Sequence, residues 1–326
     1  MVTLVSDLSA SAFSWISGRG VRTALPPVLG LGVAVGLLLT GGVGWRTSGH
    51  WWDGLDGGSR VLLAALAAVA LFMLTTVVML LLPSLTRVYE GQWGRGWPGR
   101  ALRQVAIRRQ VRLMRHLKAS ARENASAGES ADVGESAGRG GNAYMRRYYL
   151  YPPSERDVRP TRLGNVLGAA ELYPGDPRRY GADASFFWPR LYPLLPDVMR
   201  AALADARSAM ESLLLFSAFA VAFAATALVS GIAGVISPAA AVIGGASGLV
   251  VSPLAYRLAV RAGLDFGELI RASFDVYRRD LLRAMGYPPP GTLDEERDVW
   301  RAVSKQLYRR GTGTSDEAHL RMQTGP

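Results

Sequence analysis

Three side chains within one short stretch could together bind a divalent cation: His50, Asp53 and Asp56. A histidine nitrogen and two carboxylates are ligands that such cations accept. Glycines flank all three, however, and an aspartate beside glycine more often makes the hydrogen bonds of a turn or a helix cap. We therefore interpret the stretch as a turn and predict no metal site.

A glycine pattern at residues 94–99 (GRGWPG) matches the G-x-G-x-x-G letters of a dinucleotide-binding loop. That loop needs a strand before it and a βαβ unit around it. Here a long apolar segment precedes it, and a tryptophan and a proline occupy its interior. We predict a turn rather than a phosphate-binding loop, and no cofactor site.

Other catalytic signatures are missing from the sequence. It has no cysteine, which excludes thiolate catalysis and cysteine-ligated zinc or iron–sulfur sites. It contains no G-x-S-x-G, Walker, H-E-x-x-H or kinase motif. We predict no catalytic residue, although folding could still bring together an acid and a base that no motif reveals.

The apolar residues are concentrated in four blocks, each long enough to cross a bilayer as a helix. The sequence therefore predicts an all-α membrane protein with four transmembrane helices and helical cytoplasmic regions. The predicted spans are Pro26–Trp45, Val61–Leu82 with Pro83 closing it, about Leu213–Ile232, and a fourth that begins at Ser237–Pro238 and runs to about Tyr256.

Arginines give the orientation of these spans. They are abundant after the second span and occur again after the fourth, at Arg257 and Arg261. The segment between the third and fourth spans has no charge at all. Because basic flanks stay on the cytoplasmic side, we expect a multi-pass protein of the cell (plasma) membrane with both termini in the cytoplasm.

Composition changes along the chain predict eight segments. They are a cytoplasmic N-terminal segment (1–25), a first transmembrane hairpin (26–83), a basic amphipathic helix (84–118), a flexible linker (119–143), a cytoplasmic aromatic and proline-rich region (144–209), a second transmembrane hairpin (210–258), a cytoplasmic helical region (259–310) and a disordered tail (311–326).

The amphipathic segment is the best candidate for a binding surface. Over residues 98–123 apolar residues share one broad face, and Arg108, Arg112 and Arg115 recur at helical spacing on another. These arginines are candidates for contact with anionic lipid. The same pattern would also result if the apolar side packed on the rest of the domain and the basic side were simply solvated.

Two further cytoplasmic stretches predict local structure. In the aromatic region Thr161 can cap a helix to about Tyr173, and prolines 189, 193 and 196 prevent one continuous helix. We expect its aromatic side chains to pack on the protein's own helices, with membrane or partner contact as the alternative. In the C-terminal region an apolar stripe predicts a helix with one buried side: Phe266, Ile270, Phe274, Tyr277 and Leu281. Outside this stripe we expect ion pairs that join Asp275 to Arg271 and Arg279. A capping box at Thr292–Glu295 predicts a further helix, which would bury Val299, Val303 and Leu307.

The predicted spans contain no Asp, Glu, Lys, Arg or His, which argues against an ion-coupled transporter. Small residues four apart permit close helix contact. This can be packing within one bundle, which we favour, or oligomerisation. The helix-packing candidates are Gly32, Gly36, Ala220, Ala224, Gly244 and Gly248.

The net charge of +11 would suit nucleic acid in a soluble protein, but beside membrane spans it favours anionic lipid, so no nucleic acid is expected. The near-exclusive use of arginine suggests a GC-rich bacterial genome. We expect a non-enzymatic scaffold or interaction protein whose cytoplasmic helices contact lipid or a protein partner. The alternatives are a membrane-bound enzyme and an oligomeric pore lined by Thr40, Thr75, Thr76, Thr226 or Ser230.

Overall fold

The computed structural model describes residues 28–30, 32, 36, 50, 52–93, 96–129 and 150–308, and no strand occurs among them. The all-helical expectation is confirmed for this part of the chain. The helices used below are α1 (Gly57–Tyr89), α2 (Trp97–Glu129), α3 (Arg162–Leu172), α4 (Ala184–Leu191), α5 (Asp197–Ile232), α6 (Pro238–Ala284) and α7 (Leu293–Tyr308), with short 3₁₀ turns at Glu155–Asp157 and Tyr192–Leu194.

The chain divides into two compact units. Unit 1 contains residues 1–89 and 207–262, and unit 2 contains residues 90–206 and 263–326. Unit 1 thus includes every apolar block recognised in the sequence. Unit 2 includes the basic helix, the aromatic region and the C-terminal helices.

Among the residues that the structure describes, three helices are long and apolar enough to cross a membrane: α1, α5 and α6. Their large aliphatic side chains are widely exposed; Leu80 of α1, for example, is 74% exposed. A helix that exposes such side chains on most of its surface is typical of a lipid-facing segment. The chain is therefore a membrane protein, but a count of four spans is not confirmed, because most of the first predicted span, Pro26–Trp45, lies outside the described residues.

Helix α1 does not end at Pro83 as the sequence suggested. It continues to Tyr89, with Pro83 inside it. Tertiary contacts within unit 1 hold the extension: Leu85 packs against a cluster that includes Leu82 and Leu215, and Tyr89 bonds to Ser217. These contacts offset the hydrogen bond that proline removes.

The fourth predicted span is likewise part of a longer helix. It begins at Pro238 as predicted, and Ser237 Oγ accepts the N–H of Ala240 at 3.3 Å. It does not end near Tyr256, since α6 runs on to Ala284 with Pro253 inside it. Buried small side chains just beyond the proline, Ala255 and Ala259, pack this part of the helix.

The amphipathic helix is longer than predicted at its far end. Helix α2 runs to Glu129, so the boundary of the linker at residue 119 was placed too early. Alanine-rich sequence has a high intrinsic helix propensity, which the prediction of a linker overlooked. The rest of the predicted linker, the tail at 311–326 and the whole N-terminal segment (1–25) lie outside the described residues.

Unit 2 has an aromatic core. Phe187 of α4 is fully buried and contacts Trp300 of α7 with ring centroids 4.7 Å apart. Phe274 of α6 is buried in the same cluster. Asp183 caps α4 by accepting the N–H groups of Ser185 and Phe186. The aromatic region therefore packs on the protein's own helices, as expected. Helix α4 ends at Leu191, in agreement with the prediction that the prolines prevent one continuous helix.

Local caps in unit 2 match the sequence. Thr161 Oγ1 accepts the N–H of Gly164 at 3.0 Å, and α3 ends before Tyr173. The capping box of α7 is present, since Glu295 N donates to Thr292 Oγ1 at 3.3 Å and Thr292 N donates to Glu295 Oε2 at 3.2 Å. Both caps depend only on residues within one turn of each other, which makes them predictable.

The buried face of α7 differs from the prediction. Val303 is buried, but Leu307 is 44% exposed, and the other fully buried side chains are Glu296 and Trp300. These three residues lie on one side of the helix at i, i+4 and i+7. Leu307 lies on the same side of the helix, so its exposure comes from its position in the last turn of α7, and Val299 is partly buried against the aromatic core.

Asp275 makes contacts other than a pair with Arg279. Its carboxylate accepts the hydroxyl of Tyr173 at 3.0 Å and that of Tyr180 at 2.9 Å. Burial, together with the nearby Asp275 carboxylate, raises the pKa of Tyr173 and that of Tyr180 above the ordinary value of a phenol. The predicted pair with Arg279 is wrong, because the Arg279 guanidinium lies 3.7 Å from Glu296 instead.

Candidate functional site

The inward side of α2 packs within unit 2. Met114 is buried with Tyr151 and Val158, and Leu113 and Leu117 are packed around them. Tyr151 also donates its hydroxyl to Gln110 Oε1 at 2.9 Å. The packing interpretation therefore describes this side of the helix.

Arg115, one of three predicted lipid contacts, is held by a carboxylate. Its Nε lies 3.0 Å and its Nη2 2.7 Å from the two oxygens of Glu155, a two-pronged ion pair. Hydrogen bonding by Arg115 lowers the pKa of Glu155 and raises that of Arg115. The charge of Arg115 is thereby compensated inside unit 2.

Arg108 and Arg112 occupy a different position. Both are exposed, and neither forms an ion pair with a carboxylate in the part of the chain that the structure describes. Arg109 and two apolar residues, Leu102 at 64% and Val105 at 65% exposure, lie on the same side of the helix. We call these five residues (Leu102, Val105, Arg108, Arg109 and Arg112) the outer face of α2.

The sequence prediction grouped the apolar residues of α2 into one face, whereas in the structure only some of them are packed. Leu113 and Leu117 pack against the cluster that contains Tyr151, whereas Leu102 and Val105 are exposed. The signal that could have shown this is the angular position of Val105. It lies closer to Arg112 than to Leu117 on a wheel of 3.6 residues per turn.

Unit 2 also has an open cleft of about 860 Å³ beside α2, lined by apolar residues such as Leu117 and Pro152 and by charged ones. Its acidic residues are Asp157, Glu171, Asp176 and Asp183, and its cations are Lys118 and Arg178. Several of the carboxylates already have structural partners. Glu171 accepts Ser185 Oγ at 2.8 Å and pairs with Arg159, Asp183 caps α4, and Asp176 accepts the N–H of Arg178 at 2.9 Å. Glu171, Asp176 and Asp183 thus position a turn and a helix end.

Asp56, one of the possible metal ligands, instead accepts hydrogen bonds at the start of a helix. Asp56 accepts the N–H of Gly58 at 3.0 Å and that of Ser59 at 3.2 Å, as well as the Ser59 hydroxyl. It therefore caps the start of α1, and these hydrogen bonds, led by that of the Ser59 hydroxyl, lower its pKa. No cluster of three or more metal-binding side chains occurs among the residues that the structure describes.

The helix-packing candidates fall into two groups. A Cβ placed on Gly248 would lie 2.4 Å from the carbonyl oxygen of Ala220 and 2.8 Å from Cβ of Ala224, so α5 and α6 touch backbone to backbone there. Gly244 is buried on the same helix. By contrast, a Cβ on Gly32 or Gly36 would meet nothing within 4 Å.

The hydroxyls proposed for a pore mostly bond within their own helices. Thr75, Thr76 and Thr226 donate to carbonyls four residues earlier at 2.8, 2.9 and 2.9 Å. Ser230 lies in α5, and Thr40 is outside the described residues. A hydroxyl chain in unit 1 that the sequence analysis missed joins Tyr89 to Ser217 at 3.0 Å and Ser217 to Ser252 at 3.1 Å.

Comparison with known proteins found no matching family model, no similar curated protein and no similar solved structure.

Proposed function

We propose that this chain is a multi-pass protein of the plasma membrane whose termini and unit 2 lie in the cytoplasm, and that it acts as a non-enzymatic scaffold or interaction protein. The observation that carries the proposal is the outer face of α2. Unit 2 buries its aromatic residues in a core of its own, yet leaves Leu102, Val105 and three arginines exposed on one helix. A surface of this kind favours contact with another surface.

The chemistry of the cleft supports a role without catalysis. A catalytic carboxylate must lie within hydrogen-bond reach of the proton that it transfers. In the cleft, Glu171 is engaged by Arg159 and Ser185, and Asp183 is engaged by the first turn of α4. These contacts stabilise the fold around the cleft and leave the exposed surface as the better candidate for function.

The orientation is tested by fusing a reporter that is active only in the cytoplasm. Fusions at Gly128 and Gly313 should both be active, because the arginine-rich segments that follow the spans stay inside. A fusion at Gly54, between the first two predicted spans, should be silent. Activity at Gly54 together with silence at Gly128 would reverse the proposed orientation.

The interaction role is tested by photo-cross-linking in native membranes. A photoreactive amino acid at Leu102 or Val105 should form adducts with lipid or with one discrete protein, whereas the same residue at Leu307 provides a matched exposed aliphatic control on α7. If neither outer-face position gives an adduct above the level of the control, the outer face is not an interaction surface.

A further inference from the structure

We infer that the outer face of α2 binds the anionic leaflet of the membrane, with Leu102 and Val105 in the interface and Arg108, Arg109 and Arg112 against lipid phosphates. This inference rests on the proposed function and commits it to lipid rather than to a protein partner. It also removes Arg115 from the contact, because Glu155 holds that side chain.

The charge of the helix is the first support. From Trp97 to Arg122 the helix contains no acidic residue, so nothing on its outer face opposes the field of the arginines. Each basic residue held at an anionic surface strengthens binding about fivefold, or about a hundredfold for three. Neutral, zwitterionic lipid offers none of this gain.

The arrangement of apolar and basic residues is the second support. Leu102, Val105 and Arg112 share one side of α2, and Met114 faces the opposite way into unit 2. A helix lying in a membrane interface needs this distribution, because its aliphatic groups enter the acyl boundary while long arginine side chains reach the headgroups. The inward packing of Met114 leaves the outer face available for that orientation.

The small apolar area favours lipid over a protein partner. The five residues of the outer face are far fewer than the roughly 20 to 30 residues per side of a stable protein interface. A weak surface affinity is sufficient for a helix that is attached to the membrane by its own chain, because attachment makes the binding intramolecular. Only residues 90–96 separate α2 from the apolar helix α1, so this attachment is short.

The test uses the full chain in liposomes. Because the sequence has no cysteine, Val105→Cys provides one labelling site for a fluorophore whose emission is quenched by nitroxide-bearing lipid. In vesicles of phosphatidylcholine mixed with phosphatidylglycerol the label should be quenched, and in phosphatidylcholine alone it should not. Raised salt should reverse the quenching, because it screens the arginines. A Val276→Cys label, at a valine of similar exposure (60%) on α6, gives the reference signal.

Arginine variants separate the outer face from the rest of the helix. Arg112→Gln should weaken the bound state about fivefold, and the triple Gln variant at residues 108, 109 and 112 about a hundredfold. Arg112→Lys should preserve the bound state, because lysine keeps the positive charge. Replacing Arg115 and Glu155 together by Gln removes an ion pair without changing the net charge and should weaken the bound state less than Arg112→Gln does.

The inference is overturned by a label at residue 105 that stays in water in anionic vesicles, by quenching that is equal in both lipids, or by a chain with both Arg115→Gln and Glu155→Gln that binds more weakly than Arg112→Gln. Cross-links from Leu102 to a discrete protein would also overturn it while leaving the proposed function intact. Reversed reporter fusions would instead contradict the proposed orientation.

Discussion

The carboxylate of Glu296 lies 2.6 Å from Nε of Arg278, and the Glu296 side chain is completely buried while that of Arg278 is 14% exposed. Arg279 lies 3.7 Å from the second oxygen of the same carboxylate, and the indole N–H of Trp300 is 3.5 Å from the first. One buried anion therefore joins α6 to α7 within unit 2 and compensates two cations.

Replacing Glu296 by Gln keeps the shape of the side chain but removes its charge, so Arg278 loses its counter-ion in a nearly dry site. We expect the free energy of unfolding to fall by about 3 kcal/mol. Denaturant titration of the detergent-solubilised chain, followed by tryptophan fluorescence, measures it. Asp298→Asn removes an exposed ion pair with Arg301 on the same helix and should change the value by no more than about 0.5 kcal/mol. Equal effects of the two variants would contradict a special role for Glu296.

The contact between α5 and α6 at Gly248 gives a second prediction. Gly248→Ala places a methyl group 2.4 Å from a backbone oxygen of Ala220, which cannot move aside as a side chain would. We expect the helices to separate locally and the free energy of unfolding to fall by about 2 kcal/mol. Thermal unfolding in detergent measures the loss.

Gly32→Ala is the matched control, because the added methyl group meets no atom within 4 Å. It should be neutral or slightly stabilising, since alanine favours helix over glycine. A Gly248→Ala variant as stable as Gly32→Ala would show that the two helices are not in close contact.

The buried face of α7 gives a third prediction. Trp300→Ala removes a fully buried indole from contact with Phe187 and should cost about 4 kcal/mol of unfolding free energy. Leu307→Ala removes a side chain that is 44% exposed and should cost about 1 kcal/mol or less. The sequence pattern predicts that Leu307 is buried, so a loss at Leu307→Ala as large as that at Trp300→Ala, measured by the same denaturant titration, would favour the pattern over the structure.

What could be predicted from the sequence depends on how far apart the interacting residues lie. The caps at Thr161, Ser237 and Thr292 were predictable because donor and acceptor are three residues apart. The apolar character of α1, α5 and α6 was predictable because it is a property of composition alone. No knowledge of the fold was needed for either.

The errors concern residues whose partners are distant in sequence. The continuation of α1 past Pro83 depends on Ser217, which binds Tyr89 from another helix. Which residues of α2 are packed or paired depends on Tyr151 and Glu155, which lie beyond the linker. A periodic pattern shows that a helix has an apolar side, but the partner determines which residues that side buries.

The ion pair of Arg115 and Glu155 gives the last prediction, a pH dependence. Hydrogen bonding by Arg115 lowers the pKa of Glu155 in the folded protein. The pair therefore contributes fully to attachment of α2 above the ordinary pKa of a carboxyl, and the contribution is lost as pH falls through the lowered folded value. Spin labels on Gln104→Cys and Arg156→Cys, both exposed in unit 2, report this attachment as a distance distribution.

We expect a narrow distribution at neutral pH and a broader one in acid, because protonated Glu155 no longer holds the guanidinium. Glu155→Gln, made in the doubly labelled chain, should give the broader distribution at every pH. Asp157→Asn changes an exposed carboxylate of the same 3₁₀ turn and should leave the acid response as it is in the unsubstituted chain. If acid still broadens the distribution of Glu155→Gln from a narrow neutral one, a group other than Glu155 controls the attachment of α2.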